Sequence, residues 1–413
     1  MAEDVRILHS LFEAALAAAL PDGKFTSKLP APPGGRTIVV GAGKASARMA
    51  QAFEAAWPHP CEGLVVTRYG HAAPTQRIEI VEASHPVPDQ AGVDAAERIL
   101  ELASGAGPDD LVVCLISGGA SALLSLPAKG VTLADKQGVT QALLKSGAPI
   151  HEMNKVRKAL SRIKGGRLAL AAMPARVVTY VISDVPGDDP ASIGSGPSIP
   201  EPQDANDAFS ILDRYGVEVS PSLKDAILKN CQRTHEATAS DVRVLATPMM
   251  ALEAAALKAQ EMGLNPLILG DAIEGEAREV AKAFAGIARS VSDHNVPAPK
   301  PCVLLSGGET TVTVRGNGRG GRNAEFLLAL YLALSHLPNV AALACDTDGI
   351  DGVEDNAGAW FENGSPPSGA SASEARSFLA NNDAYGYFYK LDQLVVTGPT
   401  LTNVNDFRAI LIR

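Results

Sequence analysis

The chain has 413 residues, enough for more than one hydrophobic core, because single cores stop growing at about 250 to 300 residues. Hydrophobic residues make up 46% and charged residues 20%, which excludes a disordered chain, and no apolar run reaches the roughly 18 residues that a membrane span needs. The formal net charge of -10 argues against nonspecific adhesion to nucleic acid, which needs a basic face, so an anionic ligand must meet locally placed cations.

In chain order, MAEDVRILHSLFEAALAAALPDG carries Glu3 and Asp4 at its start and Glu13 inside its apolar run. This predicts an amphipathic helix ended by Pro21-Asp22-Gly23 rather than a secretory signal. Short β-branched runs then alternate with Ala- and Leu-rich segments of helical period: TIVVG, SARMAQAFEAAW, GLVVT, RIEIVEA, GVDAAERILELA, LVVCLIS and SALLSL. That is the α/β pattern of a parallel sheet covered on both faces. It continues through RVVTYVIS and a helical stretch near 206–231 to the polar segment CQRTHEATASD, where a domain boundary is placed near residue 240. Beyond it, VRVLAT, MMALEAAALKAQEMG and PLILG read as a fresh βαβ unit, followed by a helix to about Ser290 and a Pro-rich linker. CVLLSGGETTVTVRG reads as two strands joined by a turn, then come a helix NAEFLLALYLAL and strands VAALAC, QLVVT and RAILI, so this half is mixed rather than purely parallel. Cys61, Cys114, Cys231, Cys302 and Cys345 are scattered singly, with no CxxC pair, which predicts a reducing, cytoplasmic setting and no zinc.

Residues 37–48, TIVVGAGKASAR, pose the first chemical question. Gly41 and Gly43 fit the dinucleotide fingerprint, but Ser46 stands in the third place and no acidic residue ends the next strand, whose end carries Arg68. A Walker loop fails too, because Ala45 follows Gly43-Lys44. What remains is a pair of glycines that would let backbone amides approach an anion at a helix N-terminus, with Lys44 as a mobile charge beside them. A tight turn with a surface lysine is the alternative.

Two strands end in Ser-Gly-Gly, at Ser117-Gly118-Gly119 with Ser121 following, and at Ser306-Gly307-Gly308-Glu309. Ligands of open α/β sheets sit beyond such strand ends, and the two copies together suggest two lobes facing one anionic ligand; structural turns are the alternative. VISDVPGDDPASIGSGPS collects Asp184, Asp188 and Asp189 after a strand, where a carboxylate can hold hydrated magnesium or accept a hydroxyl proton, although aspartate also serves as a turn and cap residue. VAALACDTDGIDG offers Asp346, Asp348 and Asp351 at a spacing unlike a calcium loop. MNKVRKALSRIKGGRLAL reads as helical, with cations that are mostly solvated and one or two, Arg157 among them, able to reach a phosphate. RGNGRGGRNAEF predicts a mobile glycine loop carrying Arg319, with Arg322 and Asn323 on the first helical turn, where an arginine can clamp a planar phosphoryl group. His85 in ASHPVPD and the stretch TGPTLTNVND carry no readable role, and no Ser-His-Asp arrangement is visible.

The ordered set GAGKAS, SHPVPD, LISGGASALL, NKVRKALSRIKGGRLA, VISDVPGDDPASIGSGPS, LSGGETTVTVRGNGRGGRNAEF, DTDGIDG and TGPTLTNVND resembles the MOFRL-type glycerate 2-kinases, a family long labelled hydroxypyruvate reductase. The resemblance spans nearly the whole chain. It implies an α/β protein with a Rossmann-like three-layer larger domain over 1–240 and a smaller mixed α/β domain over 241–413, whose MOFRL region covers about 300–410. ATP, Mg2+ and D-glycerate would meet in an interdomain cleft. Lys44 and Arg322 fall where the family's phosphoryl-transfer cations stand, and Asp184 and Asp189 are the matching candidates for metal or proton handling. Where the family continues with Pro-Thr-Asp, this chain has Val353-Glu354-Asp355.

The expected reaction is attack of the C2 hydroxyl of D-glycerate on the γ-phosphate of ATP, giving 2-phosphoglycerate and ADP, with Lys44 and Arg322 gripping the migrating group once the cleft closes. The rival is an NAD(P)H-dependent hydroxypyruvate reductase, suggested by the Rossmann-like opening and Arg68 and opposed by the missing acidic ribose contact. A nucleotide-responsive binding protein without turnover is a third reading. The expected partner is the small-molecule substrate, with no nucleic acid and no membrane; a homodimer is left open.

Overall fold

The computed structural model describes residues 3–232, 240–363 and 371–413, so most of the polar segment chosen for the domain boundary lies outside the described residues. Two compact units organise the chain: Pro21–Leu245, here the N-terminal unit, and Ala246–Arg413 joined by the residues up to Leu20, here the C-terminal unit. Helix α1 (Glu3–Ala19) thus belongs with the C-terminal half of the chain, not with a domain over 1–240. Its buried residues Val5, Leu8, Leu11, Phe12 and Ala15 recur at the helical period and form one apolar stripe, which must be covered. The helix at Pro248–Glu261 covers it, and Phe12 meets Phe407 with ring centroids 5.6 Å apart.

In the N-terminal unit, strands β1 (Thr37–Ala42), β2 (Glu62–Arg68), β3 (Ile78–Ala83), β4 (Leu111–Ile116), β5 (Arg176–Ile182) and β6 (Asp241–Ala246) lie in the order β3-β2-β1-β4-β5-β6. The pairings from β3 through β5 are parallel. β1 and β4 are buried at every position, as central strands covered on both faces must be, and the strand order reverses between them. Ligands of such sheets sit outside the carboxyl ends at that reversal.

The helices of this unit are α2 (Ser46–Ala56), α3 (Gln90–Ser104), α4 (Ala120–Leu123), α5 (Leu133–Lys145), α6 (Ile150–Ala159), α7 (Arg167–Ala171), α8 (Ala205–Arg214) and α9 (Pro221–Cys231). α5, α6, α8 and α9 enclose a core of their own, with Leu143, Met153, Val156, Ile211 and Ile227. NKVRKALSRIKGGRLAL is not one helix. Gly165 and Gly166 take left-handed φ values of 61° and 80°, and a Cβ on Gly166 would stand 2.1 Å from Pro200 Cα, so the chain breaks between α6 and α7.

The C-terminal unit holds a mixed sheet, in the order β13-β12-β11-β14-β9-β7, of β7 (Asn265–Gly270), β9 (Cys302–Ser306), β11 (Val340–Asp346), β12 (Gly358–Glu362), β13 (Leu394–Val395) and β14 (Asp406–Ile412). Only β7 and β9 pair in parallel. β8 (Gly275–Glu276) and β10 (Thr310–Thr311) form a separate two-stranded pair. Around the sheet lie α10 (Pro248–Glu261), α11 (Ala277–His294), α12 (Arg322–Leu334), α13 (Ala372–Ala380) and α14 (Ala384–Lys390).

One expectation is corrected: β6 and β7 belong to different sheets, so VRVLAT and PLILG do not form a βαβ unit. CVLLSGGETTVTVRG does hold two strands joined by a turn, β9 and β10, but they do not pair with each other: a Cβ on Gly308 would stand 2.2 Å from the Ile273 amide, and the chain turns away to pair β10 with β8.

Candidate active site

The carboxyl end of β1 carries the GAGK turn, and the neighbouring strand end explains its glycines. A Cβ on Gly41 would stand 2.2 Å from Leu115 O, and one on Gly43, at φ 141°, 2.1 Å from Ser117 Oγ. The glycines let β1 approach β4. The amides of the turn are also engaged: Gly43 donates to Val66 O, Lys44 to Gly118 O at 2.8 Å, and Ala45 to Ser117 Oγ at 3.0 Å. Ser46 Oγ donates to Leu115 O. The expected cradle of amides open to an anion is therefore corrected: Gly41, Gly43, Ser46 and Ser117 are buried and knit two strand ends together.

Lys44 itself is half-buried beside the SGGAS turn. Gly119 takes φ 81°, and a Cβ there would come 3.2 Å from Lys44 Cγ and 3.1 Å from His85 Cδ2. So His85, unreadable in the sequence, lies at the same turn as Lys44. Gly118 is buried at this turn, whereas Ser121 is half-buried and its Oγ pairs with Ser195 Oγ at 2.5 Å. Ser195 Oγ then donates to Asn154 Oδ1 at 3.0 Å, toward which Arg157 also points. This ladder ties the turn after β4 to the loop after β5 and to α6.

In that acidic loop Asp184 is half-buried just beyond β5. Asp189 is committed locally, accepting from the Ala191 amide and from Ser192 Oγ at 2.7 Å. Asp188, at φ 54°, has a buried Oδ1 with no hydrogen-bond partner among the described residues. Other cations of the α6 region are paired: Lys155 with Asp207, Lys158 with Glu201, and Arg162 with Glu97. A cavity of about 500 Å³ lined by Arg162, Arg167 and Asn230 holds none of the predicted site residues.

In the C-terminal unit, α12 begins where β9, β11 and β14 place carboxylates around its first residue. Arg322 donates Nε to Asp406 Oδ1 at 2.8 Å, Nη1 to Glu309 Oε1 at 2.9 Å and Nη2 to Asp346 Oδ2 at 2.6 Å. These carboxylates raise its pKa well above the ordinary arginine value even though burial opposes the charge. Asp346 and Asp406 side chains are 3% and 0% exposed, but Glu309 is 55% exposed, so one of the three partners can exchange with a ligand. Asp351 caps α12 by accepting from the amides of Asn323 and Ala324, and Asn323 Nδ2 reaches Asp406 at 2.7 Å.

Asp406 and Arg408 are the residues that sequence reasoning missed. Arg408 is 1% exposed, pairs with Asp406 Oδ2, donates to Gly307 O and Thr310 Oγ1, and lies 5.1 Å from the Phe326 ring centroid. The available signal was an Asp-Phe-Arg opening an otherwise apolar closing strand. Ser306 and Gly308 are buried in the turn that Arg408 braces. Asp348 accepts from the Ile350 amide and donates its own amide to Asp346, so it shapes the turn. TGPTLTNVND straps this turn: Thr400 Oγ1 donates to Thr347 O, and Thr347 Oγ1 to Asn405 O at 2.6 Å.

The expected mobile loop RGNGRGG is instead pinned. Arg315 and Gly316 amides donate to Asn382 Oδ1, the Gly318 amide to Asn381 O, and the Arg319 amide to Asp383 Oδ1. Arg319 lies 4.2 Å from the Tyr385 ring centroid and pairs with Glu354, while Asp355 accepts from Tyr385 Oη. The Val353-Glu354-Asp355 departure thus supplies two of the loop's anchors.

A family model described as Domain of unknown function (DUF4147) matches residues 7–228, and the MOFRL family model matches residues 302–406. A D-glycerate 2-kinase of Thermotoga maritima is 40% identical over 97% of this chain and 96% of its own length. A protein of Agrobacterium vitis named "Putative hydroxypyruvate reductase" is 54% identical over 98% of this chain and 94% of its own. The crystal structure of a glycerate kinase from Thermotoga maritima superposes with a TM-score of 0.89 at 39% identity, covering 99% of both chains. The chain belongs to the MOFRL-type glycerate 2-kinase family.

Proposed function

We propose that the protein transfers the γ-phosphoryl group of ATP to the C2 hydroxyl of D-glycerate, releasing 2-phosphoglycerate and ADP. The observation that carries this reading is the Arg322 guanidinium, fixed by two buried carboxylates and left with one exchangeable partner, Glu309. A planar fork so held is pre-set for oxygens of a phosphoryl group, and exchange of one carboxylate for one phosphoryl oxygen leaves the buried pairs intact. Lys44, beside the SGGAS turn, is the second cation of the proposed chemistry, and Asp184 orients the attacking hydroxyl.

Carboxylate oxygens suit a hard divalent cation, and Mg2+ takes one or two of them together with waters and phosphates; the buried Asp188 Oδ1, without a hydrogen-bond partner among the described residues, is the observation in the acidic loop that fits such an ion. Asp184, with Asp188 or Asp189, would hold it; when bound, it neutralises charge on the triphosphate. The reductase reading is disfavoured by the GAGK turn, whose amides at Gly43, Lys44 and Ala45 are already donated within the protein, so a dinucleotide pyrophosphate has no cradle there.

The test measures ADP release with D-glycerate beside NADH oxidation with hydroxypyruvate, and identifies the product by phosphorus NMR. Arg322→Lys keeps the charge but loses the fork, and kcat should fall about a hundredfold or more while KM for glycerate changes little. NADH oxidation without ADP release would reject the kinase reading, and near-normal turnover by the lysine variant would remove Arg322 from the chemistry.

A further inference from the structure

A buried cation is stable only when a carboxylate, a set of carbonyls or a ligand replaces the water it lost. Lys136 on α5, Lys158 on α6 and Lys164 before α7 are 5%, 8% and 1% exposed, and Arg157 is half-buried with them. Glu201 pairs with Lys158, and Lys164 Nζ donates to Leu124 O at 3.1 Å and Gly194 O at 3.4 Å. Lys136 Nζ is buried with no hydrogen-bond partner among the described residues. No carboxylate among the described residues acts as its counter-ion; it feels the positive charge of Arg157, and Lys164 feels both. Burial first, and Arg157 second, push Lys136 down to about 7, because neither burial nor a neighbouring cation favours its charged form.

We propose that Lys136 and Arg157 form an oxyanion pocket that receives the carboxylate of the hydroxy-acid acceptor, an inference that takes the identity of the acceptor from the kinase reading above. The planar guanidinium of Arg157 can meet a carboxylate with two parallel hydrogen bonds, and the Lys136 ammonium completes the neutralisation as a point charge. The pocket belongs to the strand-end region. Arg157 Nη1 points to Asn154 Oδ1 at 3.5 Å, Asn154 accepts from Ser195 Oγ, and Ser195 pairs with Ser121 of the turn that holds Lys44. The deep ammonium suits a small terminal oxyanion better than a chain of phosphates, because Lys158 is already paired with Glu201 and Lys164 donates to two carbonyls, which leaves Lys136 and Arg157 for the ligand.

The test compares wild type with Lys136→Met and Arg157→Gln. Methionine removes an uncompensated buried charge, so the ligand-free variant should melt at a higher temperature than wild type. KM for D-glycerate should rise about ten- to a hundredfold in each variant, far more than kcat falls, with KM for ATP nearly constant. D-glycerate should raise the melting temperature of wild type but not of either variant, and glycerol, which lacks the carboxylate, should raise neither. Should Lys136→Met not fold, Arg157→Gln carries the same KM-against-kcat split. Unchanged glycerate KM and thermal shift in the variants, with wild type releasing ADP, would overturn the pocket and leave the kinase reading standing. Wild type that releases no ADP, yet is stabilised by D-glycerate in a way the variants lose, would uphold the pocket and reject the kinase reading.

Discussion

Asp351 shows how one buried carboxylate sets the behaviour of a helix start. It accepts the Asn323 and Ala324 amides, which favours the anion, but burial dominates and pushes it up to about 6. The folded protein therefore holds this proton more tightly than the unfolded chain, whose carboxylates titrate near the ordinary value of about 4. The group's favourable share is fully present below about pH 4 and is lost as pH rises through about 6, a change of about 3 kcal/mol. Asp351→Asn cannot titrate. The stability of wild type minus that of the variant, from denaturant unfolding across this range, should fall as pH rises; a flat difference would show that burial does not govern the site. The sequence displayed the aspartates of DTDGIDG but not this split, in which Asp346 binds Arg322, Asp348 shapes a turn and Asp351 caps α12.

At the scale of elements, the glycine loop before α12 is held by the turn between α13 and α14. Asn382, 6% exposed and at φ 53°, accepts the Arg315 and Gly316 amides at 2.7 and 3.0 Å and donates to Glu325 at 2.9 Å. Asn382→Ala removes these bonds and puts a residue that disfavours the left-handed region where asparagine is tolerated. It should destabilise the protein by about 2 to 4 kcal/mol and speed hydrogen exchange at residues 315–319. Unchanged exchange there would show that the loop is held by other contacts. Glycine richness in RGNGRGG reads as mobility when only the chain is considered. Here Gly316 and Gly318 are small because Asn381 and Asp383 stand against them, 2.3 Å from where a Cβ would be.

At the scale of the molecule, α1 is separated in sequence from every other part of its unit by the whole N-terminal unit. Phe12 anchors it against Phe407 of β14. Phe12→Ala should cost about 3 to 5 kcal/mol, and the loss should be borne by the C-terminal unit. The chain has two tryptophans, and they report separately: Trp57 lies in the N-terminal unit and Trp360 in β12 of the C-terminal unit. The Trp360 fluorescence transition should move to lower denaturant while that of Trp57 holds; a shift of Trp57 alone would reject the assignment of α1.

The sequence by itself determined the α/β class and most strands and helices, since the alternation of β-branched runs with helical-period segments is a local property. It also marked the strand ends and polar segments from which the candidate site is drawn, and through them the family. Only the tertiary structure decided which strands share a sheet, where α1 belongs, and that the glycines of GAGK serve strand approach. Those outcomes depend on which surfaces meet across long stretches of chain, and neither a Cβ that would collide with Leu115 O nor an aspartate 84 positions from Arg322 leaves a trace in local pattern. The same holds for Lys136, whose ammonium, buried and without a hydrogen-bond partner among the described residues, owes its burial to α5 folding against α6.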